Sequence, residues 1–300
     1  MSEQSTQDGQ QRGPASVGDR PPAPPGKALR DAATVMLLRD GDTGLEVFML
    51  RRTLNAAFVG GFYVFPGGVV DPADRAADVE ARCIGLTDAL ASDRLGIDDG
   101  GLAYWVAAVR ECFEEAGVLL ARDQHGDTVS FTEPATAARF GEHRHAVHGG
   151  TLRLAEMCAN EALRLETDAI AYVSHWITPV GEPRRFDTRF FVARAPLGQE
   201  PLHDDAETIA SLWINPATAI EQAKSGELQM IVPTMRNLEF LAPHDTCDAV
   251  MAVAHALGRP PTILPRVVRR GESIAILLPD DPAYDDPDEV DVQLTAPPRG

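Results

Sequence analysis

The sequence predicts an α+β protein, an α/β/α sandwich in which a mixed β-sheet is packed between helices. Short apolar runs with the length of strands alternate with longer segments whose apolar residues recur every three or four positions. Several of the apolar runs are separated only by turn residues and are therefore expected to pair as hairpins. Interleaved helices and strands with local hairpins favour a mixed sheet covered by helices.

The strands are predicted from apolar runs that end at clusters of Gly, Asp, Thr or Pro. The first hairpin is expected to join AATVMLL, which starts near Ala32, to LEVFMLRR across the turn sequence RDGDTG. A short strand ending in a glycine-rich turn follows in GGFYVFPGG. Later strands are expected in IAYVSHWITP, RRFDTRFFVARAP and ETIASLWINP, and a final hairpin in TILPRVVRRGESIAILLPD.

The helices are predicted from apolar periodicity together with capping signals. In LAYWVAAVRECFEEAG, the apolar residues from Leu102 to Phe113 form one stripe, and Gly117 is suited to a left-handed C-terminal cap. In NPATAIEQAKSG, Asn215 is the expected N-cap and Pro216 takes the first helical position. Further helices are expected over 134–147, 152–165, 232–241 and 246–257, with short helices between 71 and 101.

The net charge of the chain is strongly negative, −18 from 27 basic and 45 acidic side chains. Nucleic acid is therefore excluded as the main partner, because phosphate backbones are bound by clustered Lys and Arg. The four cysteines are widely spread without a C-x-x-C pair, which favours a reduced, cytoplasmic location. No apolar stretch approaches the ~20 residues of a membrane span, and the first residues lack the apolar segment of a secretory signal, so no membrane association is expected.

One cluster of charged residues indicates chemistry. On the helix that is predicted to end at Gly117, the spacing of Glu111, Glu114 and Glu115 places three carboxylates on one face. Like charges at this spacing repel each other, and a hard divalent cation between them would remove that cost. Mg²⁺ and Mn²⁺ prefer such oxygen ligands, and Arg110 is placed to orient one of the carboxylates. A solvated acidic face is the alternative explanation for an isolated E-x-x-E-E pattern.

This cluster is part of a longer motif. RECFEEAGV, residues 110–118, resembles the second half of the Nudix box, R-E-U-x-E-E-x-G-U, in which U is an aliphatic or other apolar residue. The match holds at every fixed position. Gly68 and Asp74 fit the spacing of the first half, with Asp in place of the usual Glu. Thirty-five residues, 75–109, then separate Asp74 from Arg110, where the family motif has about seven. The interruption resembles that of the Nudix branch of CoA and acyl-CoA diphosphatases. The surrounding sequence resembles this branch too, in FMLRRTLNAAFVGGFYVFPGGVVDPADR before the interruption and WITPVGEPRRFDTRFFVA after it.

The resemblance implies a Nudix fold with a helical insertion and a C-terminal extension, and a metal-dependent hydrolysis of a diphosphate linkage. Glu111, Glu114 and Glu115 match the metal-binding glutamates of the family, with Mg²⁺ or Mn²⁺ as the implied cofactor. The carbonyl group of Gly67 matches a frequent backbone ligand of the metal. Arg110 matches the arginine that braces the carboxylates, and either Glu114 or Glu115 is expected to act as the base.

Four further residues are candidates for the site. Glu207 is the choice for an acid from a later loop, which often completes the family's site or acts as base; a solvated loop acid explains it equally well. Arg51 and Arg52 end the second strand and are candidates for contact with substrate phosphates, although edge-strand solubility accounts for them equally. Arg184 and Arg185 precede the FDTRFF strand, and we choose Arg185 as the substrate contact.

The expected partner is a small-molecule diphosphate, with CoA or an acyl-CoA first among the substrates. The alternatives are an ADP-ribose or dinucleotide pyrophosphatase, or a non-catalytic Nudix-like module that senses a nucleotide. The presence of all three glutamates disfavours the non-catalytic alternative. The sequence leaves open whether the chain forms a homodimer.

The chain is expected to divide into four parts, and the insertion is expected to form a lid or a substrate-side wall. The parts are a disordered N-terminal tail over 1–29, the Nudix domain over 30–245 with the box insertion at 75–109, a helix-and-hairpin extension over 246–280 and an acidic tail over 281–300.

Overall fold

A computed structural model describes residues 28–53, 60–202 and 208–292, and most of the predicted N-terminal tail lies outside these ranges. The described part of the chain forms the predicted sandwich. Its strands are β1 (Arg30–Gly41), β2 (Gly44–Arg52), β3 (Tyr63–Val64), β4 (Gly67–Val69), β5 (Ala121–Arg122), β6 (Arg164–Leu165), β7 (Ala171–Ile177), β8 (Phe186–Arg194), β9 (Thr208–Ile214), β10 (Thr262–Ile263), β11 (Arg266–Arg270) and β12 (Ser273–Leu277). Its helices are α1 (Asp88–Leu95), α2 (Leu102–Ala116), α3 (Pro134–His148), α4 (Leu154–Asn160), α5 (Pro216–Ser225), α6 (Val232–Leu241) and α7 (Cys247–Ala256).

The main sheet is mixed and is organised around β1. Across the sheet the order is β10, β7, β8 and β1, and the far side of β1 is shared by β4 and β2. β1 has 12 residues, which is long enough to pair with β4 along its first half and with β2 along its second half. β8 runs parallel to β1, whereas β7 is antiparallel to β8. The glycine-rich strand β4 therefore lies directly beside the start of the central strand.

Helices cover both faces of the sheet because the central strands are apolar on both faces. One buried cluster contains Val35 and Leu37 of β1 together with Trp105 and Phe113 of α2. The indole nitrogen of Trp105 is buried as well, and it donates a hydrogen bond to a backbone carbonyl group at 3.0 Å. The other cluster contains the alternate residues of β1 and packs against α5, α6 and α7. Each fully buried aliphatic side chain of this kind contributes about 1.5–3 kcal/mol to stability.

The inserted residues 75–109 support α2. They include α1 and the first two turns of α2, and Leu86 and Leu95 are buried in the same cluster as α2. Asp88 caps the start of α2, since its carboxylate accepts a hydrogen bond from the N–H group of Leu102 at 3.0 Å. At the other end, Gly117 has a φ of 68° and closes the helix with the predicted left-handed cap.

The first part of the C-terminal extension packs against the main sheet. Cys247 and Val250 of α7 belong to the second buried cluster, and β10 pairs with β7 at the edge of the main sheet. Of the described strands in this extension, β11 and β12 lie outside the main sheet and pair with each other. The predicted boundary at residue 245 is therefore not a structural division, because the apolar face of α7 is buried against the sheet.

Two further expectations differ from the structure. The helix expected over 152–165 ends at Asn160, because Ala162 adopts a positive φ of 54° and the chain turns into β6. The acidic segment expected to be a loose tail is held along the last hairpin over its described part, 281–292. Arg266 pairs with Asp291 at 2.9 Å, and the side chain of Tyr284 donates to a carbonyl group at 2.6 Å.

Within the three described ranges, no helix has both the length and the apolar character needed to cross a bilayer.

Candidate active site

The candidate site forms where β4 meets the last two turns of α2. Gly68 lies directly against Glu111, since a Cβ atom at Gly68 would approach Oε1 of Glu111 to 2.4 Å. At Gly67, a Cβ atom would come within 2.6 Å of the carbonyl oxygen of Ala33. The N–H group of Gly67 donates a hydrogen bond to Oε2 of Glu115 at 2.9 Å. A side chain at Gly67 would collide with the backbone of β1, and a side chain at Gly68 would displace the carboxylate of Glu111.

Arg110 organises the acidic side chains. Its Nε donates to Asp74 at 3.0 Å, and its Nη1 donates to Glu111 at 2.8 Å and to Glu114 at 3.3 Å. Its Nη2 donates to Asp74 and to the carbonyl oxygen of Val69, at 3.0 and 2.8 Å. Burial by itself lowers the pKa of Arg110, but the neighbouring carboxylates outweigh burial and raise the pKa above its ordinary value. The buried guanidinium group therefore stays charged.

Asp74 supplies the brace for Arg110. It lies in a short 3-10 turn, Pro72–Arg75, and its side chain is buried. Burial raises the pKa of Asp74, while the hydrogen bonds from Arg110 oppose that rise. Although Asp is shorter than the usual Glu, both of its oxygens reach the guanidinium group because the turn places the backbone close to α2.

The three glutamates on α2 are enclosed by protein. Burial raises the pKa of Glu111 to about 7 and raises the pKa of Glu114 as well, with Arg110 acting in the opposite direction. Glu115 is also buried. A bound divalent cation would favour the ionised form of all three carboxylates, and carboxylate oxygens are the donors that hard cations prefer. The chemistry of this donor set therefore fits a divalent metal.

Among the described residues, no three acidic or histidine side chains already surround one point at metal-binding spacing. The hydrogen bonds explain this arrangement. Nη1 of Arg110 draws the carboxylates of Glu111 and Glu114 towards itself, whereas the N–H group of Gly67 holds the carboxylate of Glu115. To hold a cation, these carboxylates would have to turn away from their present hydrogen-bond donors.

Two residues of α3 that no sequence motif assigns to the site contact it. Nδ1 of His148 lies 3.7 Å from Oε2 of Glu114. Arg144 donates to the backbone carbonyl groups of Glu114 and Glu115 at 2.8 and 2.9 Å, and to that of Leu202 at 3.1 Å. The sequence holds no local signal for these contacts, because they arise from the packing of two helices that are distant along the chain.

The carboxylates form one end of a cavity of about 920 Å³. The cavity extends across the sheet from β4, over β1 and β8, to β7 and the β11–β12 hairpin. Its walls include Thr34, Trp176, Thr188, Phe190, Ile231 and Val267. Within the described part of the chain, none of the lining residues comes from 75–109, so the expected lid or substrate-side wall is not found. The apolar residues of that segment are buried against α2 instead.

The arginines expected to contact the substrate are divided between two environments. Arg52 lines the cavity, whereas Arg51 is not among the lining residues, and its Nε donates to the carbonyl oxygen of Gly61 at 3.4 Å. Arg185 is buried outside the cavity wall, with Nε donating to the carbonyl group of Thr178 at 3.1 Å, and its neighbour Arg184 lines the cavity. Of the three predicted substrate contacts, only Arg52 therefore lies in the cavity wall, and Arg184 becomes a candidate in place of its neighbour Arg185.

The expected loop acid Glu207 lies outside the described residues, so its role stays a prediction.

Comparison with known proteins agrees with this geometry. The sequence profile of the NUDT19 Nudix domain matches residues 86–241. The acyl-coenzyme A diphosphatase NUDT19 of Gallus gallus is 30% identical over 86% of this chain and 81% of its own length. The chain belongs to the NUDT19 Nudix family. The protein of the same name from Homo sapiens is 28% identical over 80% of this chain and 72% of its own length.

The fold comparison also gives a Nudix hydrolase. The crystal structure of a Nudix hydrolase from Alicyclobacillus acidocaldarius has a TM-score of 0.63 and 29% sequence identity, covering 78% of this chain and 99% of that one. The Nudix resemblance and the mixed-sheet sandwich predicted from the sequence are thereby confirmed. The chain is a Nudix hydrolase, and enzymes of this family generally use a divalent metal.

Proposed function

We propose that this Nudix hydrolase cleaves the diphosphate linkage of CoA or an acyl-CoA, with Mg²⁺ or Mn²⁺ held by Glu111, Glu114 and Glu115. The observation that carries the proposal is the position of these carboxylates, braced by Arg110 at one end of a cavity of about 920 Å³. Cavities of roughly 300–1,000 Å³ hold small-molecule ligands. The acyl-coenzyme A diphosphatases among the relatives support the choice of substrate.

The reaction adds water across one P–O–P bond, so that X–P–P–Y and water become X–P and Y–P. A bound divalent cation would supply positive charge to the diphosphate oxygens and acidify a water molecule. Glu114 or Glu115 accepts the proton that the attacking water loses, since both carboxylates line the cavity. With CoA or an acyl-CoA, the products are 3′,5′-ADP and the corresponding 4′-phosphopantetheine.

The surrounding residues hold the acids and the substrate in place. Arg110 fixes the carboxylate of Glu111, and the N–H group of Gly67 fixes that of Glu115. The carbonyl group of Gly67 is the proposed backbone ligand for the metal. Arg52 and Arg184 lie in the cavity walls, where their guanidinium groups are suited to substrate phosphates.

The test is hydrolysis by the purified chain, with Mg²⁺ or Mn²⁺, of free CoA, an acyl-CoA, ADP-ribose, NADH and a nucleoside triphosphate. We expect release of 3′,5′-ADP from the two CoA compounds. Glu114→Gln and Glu115→Gln should each lower kcat by about 10²-fold or more, because the proton acceptor or a metal ligand is lost. Glu142→Gln, an exposed change on α3, is the matched control and should leave kcat unchanged.

The possible results distinguish an error in the proposed substrate from an error in the proposed catalytic site. A preference for ADP-ribose or NADH, lost in both glutamine variants, would keep the site and reject the CoA substrate. Metal binding without cleavage of any compound would favour the non-catalytic, nucleotide-sensing alternative.

A further inference from the structure

The hairpin formed by β11 and β12 presents an apolar face to the cavity. Ile276 is paired with Val267 across the hairpin, and Ile274 lies two residues before Ile276, so all three side chains project from the same face. All three line the cavity. Ile274 and Ile276 are nevertheless 52% and 49% exposed. A contiguous apolar surface on a cavity wall is typical of a binding site rather than of a solvated hairpin.

This hairpin face lies at the opposite end of the cavity from the carboxylates. The carboxylates adjoin β4, and the sheet then continues through β1, β8 and β7. Three strand spacings correspond to about 14 Å. β10 pairs with β7 at Ile263 and Trp176, and the chain passes from β10 directly into the hairpin. A ligand that spans the cavity therefore meets acidic groups at one end and aliphatic groups at the other.

We propose that Val267, Ile274 and Ile276 bind the acyl chain of an acyl-CoA whose diphosphate lies at the carboxylates. This inference rests on the proposed function. Between the diphosphate and the sulfur, the pantetheine arm has about as many backbone atoms as four amino-acid residues, which extend to about 14 Å. The sulfur would then lie near β7, and the acyl carbons beyond it would lie against the hairpin. Free CoA ends at the sulfur and does not reach these residues.

The hairpin face is therefore a specificity determinant for thioesters. Each methylene group that leaves water against an apolar wall favours binding by about 0.8 kcal/mol, or roughly fourfold in affinity. A long acyl chain gains from several such contacts, whereas a free thiol gains from none. The preference between free CoA and long-chain acyl-CoA is set at the hairpin, and the rate of diphosphate cleavage is set at the carboxylates.

The experiment compares Ile274→Ser and Ile276→Ser with the unaltered chain on free CoA, a short-chain acyl-CoA and a long-chain acyl-CoA, with Mg²⁺ present. We expect kcat/KM for the long-chain substrate to fall about tenfold or more, and kcat/KM for free CoA to change less than about twofold. Ile276→Trp, which fills the same space, should shift the preference towards shorter acyl chains. Leu90→Ser is the matched control, because Leu90 is 52% exposed on α1 and does not line the cavity.

Each outcome bears on one proposal or on both. Cleavage of free CoA with an unaltered chain-length preference in all three hairpin variants would overturn the inference and keep the proposed function. Failure of the unaltered chain to cleave any CoA compound would overturn both. Size-exclusion chromatography with light scattering completes the test. A hairpin variant that dissociates a dimer without changing the chain-length preference would make this face a contact between two copies of the chain, which contradicts the inference.

Discussion

Arg110 distributes its hydrogen bonds over Asp74, Glu111 and Glu114, so that one buried cation compensates for carboxylates from two segments of the chain. Asp74 accepts hydrogen bonds from both Nε and Nη2, which fixes the plane of the guanidinium group. The plane of the guanidinium group in turn determines where Nη1 points, which is towards Glu111 and Glu114. The orientation of the candidate metal ligands therefore depends on an aspartate that is not itself a proposed ligand.

Asp74→Asn should weaken both stability and activity, because a buried guanidinium group loses its charged partner. We expect the free energy of unfolding to fall by about 3 kcal/mol, as for other buried pairs with one partner removed. We also expect kcat/KM for the best substrate to fall about tenfold or more as Arg110 turns away from the glutamates. Urea unfolding and steady-state kinetics measure the two effects. Asp71→Asn is the control, because Asp71 is mostly exposed and lies 3.8 Å from Arg110. Equal losses of unfolding free energy and of kcat/KM in the two variants would contradict the role of Asp74.

At the scale of elements, α3 binds the C-terminal end of α2, which carries the glutamates. The last turn of a helix leaves carbonyl groups without partners inside the helix. Arg144 satisfies two of these groups, those of Glu114 and Glu115, and also binds the carbonyl group of Leu202. Leu202 in turn donates its N–H group to Ala116. The end of the helix that carries the acids is thus joined to the segment that follows β8.

Arg144→Met should disturb the acids while keeping much of the side-chain volume, since Met replaces the aliphatic stem and removes the donors. We expect kcat to fall about tenfold and the free energy of unfolding to fall by about 1–3 kcal/mol, the usual cost of leaving buried polar groups unpaired. Arg139→Met on the same helix removes an exposed ion pair with Glu161 and should cost less than about 1 kcal/mol. A loss of stability in Arg144→Met without any loss in kcat would show that the contact does not position the acids.

At the scale of the whole molecule, a buried polar network crosses the main sheet away from the acidic cluster. Asp187 of β8 contacts Nε2 of His175 on β7 at 2.6 Å and also pairs with Arg189. Nδ1 of His175 lies 2.8 Å from the hydroxyl group of Thr262 on β10. Three neighbouring strands are therefore connected through side chains as well as through their backbones, and the network links the edge of the sheet to its centre.

This network predicts how stability depends on pH. Burial raises the pKa of Asp187, but the hydrogen bond from His175 and the charge of Arg189 outweigh burial and hold the pKa at about 2, below the ordinary value of 3.8. Because the folded form binds the proton less readily than the unfolded form, the stabilisation is fully present above about pH 4. It is lost as the pH falls from about 4 to about 2, with a total of about 2 kcal/mol.

Urea unfolding of the unaltered chain and of Asp187→Asn at pH 6, 4 and 3 tests this prediction. The variant should be less stable by about 3 kcal/mol at pH 6, because Arg189 keeps a buried charge without its partner. Its stability should also fall less steeply between pH 4 and pH 3. Asp280→Asn, which removes an exposed pair with Arg236, serves as the control and should preserve the steep decline. Parallel curves for the unaltered chain and Asp187→Asn would exclude Asp187 as the source of the acid sensitivity.

The sequence by itself determined the family, the sandwich architecture and the placement of three glutamates on one face of α2. These features depend on local information, because apolar periodicity, Asn215, Gly117 and the spacing of the glutamates act within a few residues of one another. The cytoplasmic location, the absence of a nucleic-acid partner and the role of Glu207 stay predictions.

Only the tertiary structure decided which of two adjacent arginines faces the cavity, that Asp74 braces Arg110, and that Arg144 and His148 lie at the acids. It also placed residues 75–109 against α2 instead of over the cavity. These features depend on which face of an element is buried and on contacts between distant segments. No local pattern encodes them, because the same residues would satisfy the same periodicity on either side of the sheet.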